Sequence, residues 1–239
     1  ANKESIVAAG DILMPLAEKK DSEIIPVDSE HNALYQCLPR ERNLNEISKM
    51  LITASGGPFR EKSLSDLKGV ALEDALKHPT WSMGAKITID SATLVNKCLE
   101  LIEAHYLFSI PESQIEIIVH PQSIIHSMIT FIDGSTIAQM SNPSMEVPIS
   151  NALGMGTRLP IDFKEIDFSE LNLSFESVAS DREIIFKMAR EVCNKNGNLG
   201  VIFNASNEIA VDAFINKKID FIDIYEVIQR TFDCFSCSK

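Results

Sequence analysis

Three carboxylates in the first half of the chain could together bind a divalent metal ion. Asp28 and Glu30 are separated by one residue, and Glu100 lies on a later segment with helical spacing. Mg²⁺ and Mn²⁺ prefer carboxylate oxygens, and a set of three leaves coordination positions for substrate oxygens. Acidic residues at loops and on helix faces are usually solvated, so their spacing alone favours an ordinary polar surface over a metal site.

A second set of polar residues could hold a phosphate group, which needs N–H and hydroxyl donors with a cation nearby. Its members are Ser55, Gly56, Gly57, Ser91, Asn96 and Lys97. The two glycines predict a loop with exposed backbone N–H groups, but they lack the Walker spacing of a phosphate-binding loop. An ordinary turn and a surface lysine are therefore the alternative explanation.

Residues 78–84 contain the only tryptophan of the chain, Trp81, between polar and helix-breaking residues. This composition suits a mobile loop that closes over a ligand, whereas packing of Trp81 into the core is the common alternative. Two further histidines, His120 and His126, are six residues apart, which matches no helical metal-binding pair. We expect both to be structural.

Two short motifs are weak functional signals. Gly154-Met155-Gly156 follows no predicted strand and lacks the third glycine of a dinucleotide fingerprint. Cys234 and Cys237 have the spacing of a zinc or redox motif, but no second ligand pair accompanies them. The cysteines are five in number and widely spread, which predicts reduced thiols.

The composition predicts a cytosolic protein, or a stromal one if the source has plastids. A net charge of −12 opposes attraction to nucleic acid and to anionic membrane surfaces. No run approaches the ~18 apolar residues of a membrane span, and no signal-peptide pattern is visible. Any anionic substrate must therefore be bound by local groups.

Hydrophobic periodicity predicts the elements that must position these residues. Helices are predicted over residues 4–19, 33–38, 63–76, and from a cap at 90–93 to about Leu107. Strands are predicted at residues 23–27, 50–54, 86–89 and 115–119, with a hairpin of 127–132 and 135–140 around Asp133-Gly134. On the helix after the 90–93 cap, Asn96, Glu100 and Glu103 share one face.

The predicted fold class is α+β. A mixed sheet with helices on one face occupies residues 1–177, and a mainly helical domain occupies residues 178–239, with the boundary near Val178. Residues 142–167 are punctuated by prolines, and residues 181–230 read as helical.

Six sequence blocks, each weak alone, resemble the 1-deoxy-D-xylulose 5-phosphate reductoisomerase family in both order and wording. They are Ala1-Asn2-Lys3-Glu4-Ser5, Pro26-Val27-Asp28-Ser29-Glu30-His31-Asn32, Ser55-Gly56-Gly57-Pro58-Phe59-Arg60, His78-Pro79-x-Trp81-x-Met83-Gly84, Asp90-Ser91-Ala92-Thr93-x-x-Asn96-Lys97 and His120-Pro121-Gln122-Ser123. Asn204-Ala205-Ser206-Asn207-Glu208 extends the resemblance over nearly all of the chain.

The resemblance implies an enzyme of the non-mevalonate isoprenoid pathway that acts as a homodimer. It would rearrange 1-deoxy-D-xylulose 5-phosphate and reduce the aldehyde intermediate with NADPH, giving 2-C-methyl-D-erythritol 4-phosphate. Residues 1–177 would then be the catalytic domain that binds metal and phosphosugar.

The resemblance also implies a role for each matched residue. The ligands of Mg²⁺ or Mn²⁺, with Co²⁺ also possible, would be Asp28, Glu30 and Glu100. The substrate would contact these ligands together with Lys3, Ser29, His78 and the phosphate pocket of Ser55, Ser91, Asn96 and Lys97. Lys3 and His78 would join the three ligands as catalytic residues. NADPH would contact Asn2, Glu4, Met83 and Gly84, and Trp81 and Met83 would belong to the closing loop.

The sequence departs from the family pattern in three places. Cys98 stands where the family typically has glycine, and we expect its side chain to point away from the ligands. The glycine-rich NADPH-binding domain that precedes this region in the family is not recognised, and the helical domain is expected to be incomplete. We therefore expect this chain alone to bind metal and phosphosugar but not to carry out the reduction by NADPH.

Two other function classes stay open. Without a nucleotide domain the chain could be a noncatalytic substrate-binding and dimerisation module. A metal-dependent phosphosugar isomerase or aldolase that needs no nicotinamide would use the same carboxylates, although it would not explain the matching blocks.

Overall fold

A mixed five-stranded sheet supports the molecule, with strand order β4-β3-β1-β2-β5. The computed structural model describes residues 2–39, 41, 43–81, 83–195 and 197–236. The strands are β1 (Ile47–Ala54), β2 (Ile115–Val119), β3 (Ile125–Phe131), β4 (Thr136–Met140) and β5 (Glu176–Ser177). The α-helices are α1 (Lys3–Lys19), α2 (Ser29–Cys37), α3 (Leu72–Ala75), α4 (Ala85–Thr93), α5 (Val95–Phe108), α6 (Glu146–Leu153), α7 (Glu183–Lys195), α8 (Leu199–Ile215) and α9 (Asp223–Ser236).

Strand β1 is the centre of the sheet. Its Met50 lies opposite Ile115 of the parallel strand β2 and opposite Ile129 of the antiparallel strand β3. Parallel neighbours need a long crossover connection, and the segment that carries α3, α4 and α5 provides it. Helices α2 and α5 contact the sheet, α2 against β3 and β4 and α5 against β1 and β2. The predicted α+β class is confirmed.

The predicted hairpin is also confirmed, as β3 and β4. Its turn contains Gly134 at φ +84°, a left-handed conformation that glycine adopts without strain. The Asp133 side chain accepts a hydrogen bond from the Ser135 backbone N–H at 2.9 Å, which closes the turn locally.

The prediction of a strand at residues 86–89 was wrong, because this segment belongs to helix α4. The β-branched residues Ile87, Thr88 and Ile89 produced the strand signal. In the fold Thr88 and Ile89 are buried, and Lys86 forms an i,i+4 ion pair with Asp90 at 2.7 Å. The predicted cap at residues 90–93 is accordingly the last turn of α4, and the helix break falls at Leu94.

Two other element predictions need correction. Residues 23–27 form no strand and join no sheet ladder, so the acidic residues do not follow a strand. Asp28 instead occupies the N-cap position of α2, and Glu30 lies in its first turn, where the helix dipole favours negative charge. The predicted helix at residues 63–76 is divided into a 3-10 turn at Leu64–Leu67 and the short helix α3.

The helices α7, α8 and α9 confirm the helical reading of residues 181–230. Helix α7 packs against α5, α8 packs against α1, and α9 packs against α8 and α7. Their apolar side chains join one continuous core with those of the sheet. Helix α1 approaches α8 so closely that a Cβ on Gly200 would lie 2.0 Å from the Val7 carbonyl oxygen. The proposed domain boundary near Val178 stays a prediction.

Among the described residues, no helix combines the length and apolar character that crossing a membrane requires.

Candidate active site

The three predicted metal ligands converge in space. Asp28 and Glu30 come from the start of α2 and Glu100 from the middle of α5, and one ligand atom of each lies within 4.8 Å of the others. The side chain of Glu100 is almost completely buried, and Asp28 and Glu30 are partly exposed. The Ser29 hydroxyl donates a 2.6 Å hydrogen bond to Glu30 Oε2.

Burial and neighbouring charges shift the pKa values of the three carboxylates in different directions. Burial, reinforced by the neighbouring Glu30 carboxylate, raises the pKa of Glu100 from 4.5 to about 8. Burial also opposes ionisation of Asp28, but the Lys3 ammonium outweighs it and holds that pKa well below its usual range. Lys97 lowers the pKa of Glu30 against the same burial cost. A divalent cation would relieve the repulsion that raises the pKa of Glu100, so the donor set fits Mg²⁺ or Mn²⁺.

Two ammonium groups lie among these carboxylates. Lys3 Nζ is 2.7 Å from Asp28 Oδ2 and donates to Asn96 Oδ1 at 2.8 Å. Lys97 Nζ bridges the cluster, because it contacts both Glu30 and Glu100, the latter at 2.7 Å. Carboxylates from two helices, Glu30 of α2 and Glu100 of α5, thus share the same lysine. Neither Lys3 nor Lys97 is a surface residue.

His31, to which the sequence analysis assigns no role, contacts the carboxylate cluster. His31 Nε2 lies 2.8 Å from the Glu100 carbonyl oxygen, and because a carbonyl only accepts, this nitrogen carries the proton. Its Nδ1 faces Glu103 Oε2 at 3.4 Å and Asp28 Oδ2 at 4.0 Å. Burial raises the pKa of Glu103 to about 7. The i,i+3 spacings of Asp28 with His31 and of Glu100 with Glu103 were the available sequence signals.

Of the predicted phosphate-pocket residues, Ser55 and Ser91 meet at His78, whereas Asn96 and Lys97 lie among the carboxylates. His78 Nδ1 accepts hydrogen bonds from the backbone N–H groups of Thr80 at 3.2 Å and Trp81 at 2.9 Å. The ring proton is therefore on Nε2, which lies 3.1 Å from both Ser55 Oγ and Ser91 Oγ. Burial and the Lys97 charge lower the pKa of His78, which keeps the ring neutral.

The turn of Gly56 and Gly57 packs directly on helix α4. A Cβ on Gly57 would lie 2.9 Å from the Ser91 carbonyl oxygen, and the residue has φ +66°. Only glycine allows both the conformation and this approach. The turn therefore brings Ser55 next to Ser91.

One cavity of about 90 Å³ joins the two halves. Its lining contains the predicted Asp28, Ser29, Glu30, Ser55, His78, Trp81, Met83, Ser91, Asn96, Lys97 and Glu100. It also contains residues that sequence reasoning did not assign, namely Thr53, Ile87, Ser123, His126 and Met145. They come from β1, α4 and the segments around β3 and α6, which only the folded sheet brings together.

The two histidines expected to be structural differ in position. His120 bonds to the Ser174 carbonyl oxygen at 2.9 Å and lies outside the cavity lining. His126 is buried but reaches the cavity, and its Nε2 lies 2.9 Å from Ser141 Oγ. The Trp81 ring meets the His126 ring edge-on, with centroids 6.4 Å apart. In this arrangement the loop of Trp81 reaches across to the sheet side of the cavity.

The residues expected to contact NADPH lie around the starts of α1 and α4. Asn2 caps α1 by accepting a hydrogen bond from the Ser5 backbone N–H, and Gly84 is the N-cap residue of α4. Lys86 of α4 reaches to within 3.9 Å of Glu4. Met83 alone of the four lines the cavity.

Two cysteine predictions can be placed. Cys98 is completely buried in the apolar core on α5. Cys237 lies outside the described residues, so the spacing of Cys234 with Cys237 has no structural counterpart here.

These features define an α+β protein in which one cavity combines a carboxylate cluster with a pocket of hydroxyl, imidazole and lysine groups. Two family models match the chain: residues 24–108 match the 1-deoxy-D-xylulose 5-phosphate reductoisomerase C-terminal domain, and residues 140–239 match the DXP reductoisomerase C-terminal domain. The chain belongs to the 1-deoxy-D-xylulose 5-phosphate reductoisomerase family. The resemblance of the sequence blocks is thereby confirmed.

Curated relatives carry the same family name. The reductoisomerase of Lachnospira eligens is 49% identical over 230 residues, which cover 96% of this chain and 60% of the relative. That of Zymomonas mobilis is 46% identical over 237 residues, which cover 99% of this chain and 61% of the relative. The chain therefore spans about 60% of the length of the relatives it matches.

Solved structures of the family have the same fold. The Zymomonas mobilis reductoisomerase in complex with NADPH has a TM-score of 0.91 and 44% identity, covering 98% of this chain and 61% of that one. A DOX-P reductoisomerase in complex with NADPH, fosmidomycin and magnesium has a TM-score of 0.93 and 41% identity, covering 99% of this chain and 60% of that one.

Proposed function

We propose that Asp28, Glu30 and Glu100 bind Mg²⁺ or Mn²⁺, with Co²⁺ as a further possible ion. The observation that carries this proposal is the convergence of three carboxylates, from two helices, within 4.8 Å. Burial and the neighbouring Glu30 carboxylate raise the pKa of Glu100, and a bound divalent cation would favour its ionised form. Magnesium in the related DOX-P reductoisomerase structures gives independent support.

The same cavity is suited to a phosphorylated sugar. A phosphate would be held by the hydroxyls of Ser55 and Ser91, the Nε2–H of His78, and the side chains of Asn96 and Lys97. Related structures hold fosmidomycin, a phosphonate, which has the anionic group that such donors recognise. Ser55 and Ser91 line the same cavity as the carboxylates, so a phosphate at the serines and reacting oxygens at the carboxylates could be bound together.

We propose that the whole protein converts 1-deoxy-D-xylulose 5-phosphate to 2-C-methyl-D-erythritol 4-phosphate with NADPH, as its relatives are named for doing, and acts as a homodimer. A bound divalent ion supplies Lewis-acid stabilisation of developing oxyanions. Lys3 and Ser29 orient groups at the reacting end. Trp81 and Met83 cover the cavity and exclude water, and Asn2, Glu4, Met83 and Gly84 present the nicotinamide side.

Binding measurements test whether this chain supplies the metal and substrate site for that reaction. Calorimetric titration of the 239-residue chain with Mn²⁺, and then with 1-deoxy-D-xylulose 5-phosphate at saturating Mn²⁺, should show two binding events. Glu100→Gln should abolish the first, and the matched variant Glu116→Gln, at an exposed position of β2, should leave both unchanged. Absence of Mn²⁺ binding by the unaltered chain would contradict the proposal.

Turnover is tested in a chimera, because the chain spans about 60% of the relatives. This chain would replace the matching segment of the Zymomonas mobilis reductoisomerase. The chimera should consume NADPH only with substrate and Mg²⁺ present, and Glu100→Gln should remove this activity. A chimera that binds substrate and metal but forms no product would favour a binding module.

A further inference from the structure

A buried series of hydrogen bonds links residues 181–230, the helical segment, to both walls of the proposed phosphate pocket. Arg182 Nη2 donates to the Lys62 carbonyl oxygen at 3.2 Å, and Arg182 Nη1 donates to Tyr225 Oη at 3.0 Å. Tyr225 Oη lies 3.0 Å from the Thr93 carbonyl oxygen. Because that carbonyl only accepts, the single phenol proton is directed to Thr93, and the direction of every bond is determined.

One end of this series of hydrogen bonds is the break between α4 and α5. Thr93 is the last residue of α4, and Leu94 follows with φ +63°, a left-handed conformation that ends the helix. Ser91 lies just before the break, and Asn96 and Lys97 lie just after it. The angle between the two helices therefore determines how the donors of α4 face those of α5.

The other end is the loop that follows the Gly56-Gly57 turn. Besides the Arg182 bond to Lys62, the Asp181 carboxylate accepts a 2.6 Å hydrogen bond from the Leu64 backbone N–H. Phe59 in the same loop meets Phe221 edge-on, with centroids 5.2 Å apart. The loop is thus attached to the helical segment rather than to the sheet alone.

A separate contact attaches α4 to α8. Asn207 is fully buried and donates to Asp90 Oδ1 at 2.8 Å, next to Ser91. Asp90 is itself paired with Lys86 through its other oxygen. The pocket wall formed by α4 is therefore held at Asp90 and at Thr93 by residues more than a hundred positions later in the sequence.

We infer that Arg182 and Tyr225 are positioning residues for the phosphate end of the cavity. They hold the Ser55 turn and the α4–α5 break at the separation that lets Ser55, Ser91 and Lys97 face one anion. Neither residue lines the cavity. This inference rests on the proposed phosphate binding, and it assigns the helical segment a role in substrate affinity beyond its contribution to the core.

Besides the shared Lys97, the metal end has supports of its own, which makes the inference testable. Asp28, Glu30 and Glu100 are held by Lys3, Lys97 and His31, and the described contacts of Arg182 and Tyr225 do not include these carboxylates. Loss of the Tyr225 hydroxyl should therefore weaken binding of the anion and spare binding of the cation. A purely structural role would affect both.

The experiment uses Tyr225→Phe in the 239-residue chain, which removes one oxygen and keeps the ring. Mn²⁺ affinity is measured first, and fosmidomycin affinity is then measured at saturating Mn²⁺. We expect fosmidomycin to bind about five- to tenfold more weakly and Mn²⁺ affinity to change less than about twofold, the scale of one lost buried hydrogen bond. Arg182→Lys keeps the charge but loses the planar guanidinium that donates to both Tyr225 and Lys62, so it should also weaken fosmidomycin binding.

Tyr35→Phe is the matched control, because its hydroxyl donates to Glu23 at an exposed position outside the cavity. It should leave both affinities unchanged. If the unaltered chain binds Mn²⁺ but not fosmidomycin, the proposed phosphate site fails. If the unaltered chain binds both ligands and Tyr225→Phe binds them equally well, the positioning role is overturned. It is also overturned if Tyr225→Phe and Arg182→Lys lose Mn²⁺ affinity or folded structure together with fosmidomycin affinity.

Discussion

Lys97 Nζ lies 2.7 Å from Glu100 Oε2, one turn further along α5, and the same ammonium group contacts Glu30 of α2. The lysine thus joins two carboxylates that we propose as metal ligands. Its own pKa is raised: burial alone would lower it, but Glu100 and Glu30 outweigh that effect. A permanently charged lysine beside the ligands also serves the proposed phosphate pocket, so the metal and anion ends share this residue.

Glu100→Gln should weaken Mn²⁺ binding by more than about 100-fold, because it removes a charged ligand while preserving size. Fold stability in the absence of metal should not fall, because the amide resembles the protonated form that burial favours. Calorimetry with Mn²⁺ and a thermal melt measure the two effects. Retained Mn²⁺ affinity in a folded variant would remove Glu100 from the ligand set.

Mn²⁺ affinity should increase with pH up to about 8 and then level off. The sign follows from Glu100: its pKa is raised from 4.5 to about 8, so below that value the carboxyl holds a proton that metal binding must release. Asp28 and Glu30 have lowered pKa values and add no pH dependence in this range. Titrations in buffers of different ionisation enthalpy count the released protons, and an affinity that does not change with pH would disprove this account.

His78→Ala should loosen the loop of Trp81 and weaken fosmidomycin binding by about tenfold. The substitution removes the acceptor of the Thr80 and Trp81 backbone N–H groups and the donor between Ser55 and Ser91. Trp81 is the only tryptophan, so its fluorescence and acrylamide quenching report the loop directly. His105→Ala, whose ring contacts the Ile110 carbonyl outside the cavity, is the control. Unchanged quenching in His78→Ala would contradict the loop assignment.

Gly200→Ala should destabilise the chain by about 3 kcal/mol, since the added Cβ would lie 2.0 Å from the Val7 carbonyl oxygen and force α1 away from α8. Lys3 begins α1, so Mn²⁺ affinity should decline as well. Gly84→Ala is the stability control, because nothing lies within 4 Å of its added Cβ and its φ is −64°. Chemical denaturation compares the variants, and equal stability would mean that α1 and α8 are less closely packed.

Local patterns predicted the elements whose signals lie within a few residues. The β3–β4 hairpin was predicted because alternation and the Asp133-Gly134 turn act over adjacent positions. Helix α5 was predicted with Asn96, Glu100 and Glu103 on one face, for the same reason of short range. Helix α4 was missed because its β-branched residues favour a strand locally, whereas burial against α8 and the Asn207–Asp90 bond favour a helix.

By itself the sequence determined which residue types are present, their spacing within each helix, and the family that they resemble. Only the tertiary structure decided that Glu30 and Glu100 share Lys97, that the pKa of Glu100 rises, and that His31, His126 and Tyr225 stand near or behind the cavity. These relationships join residues tens of positions apart. They depend on how helices pack and exclude water, and no local pattern encodes that packing.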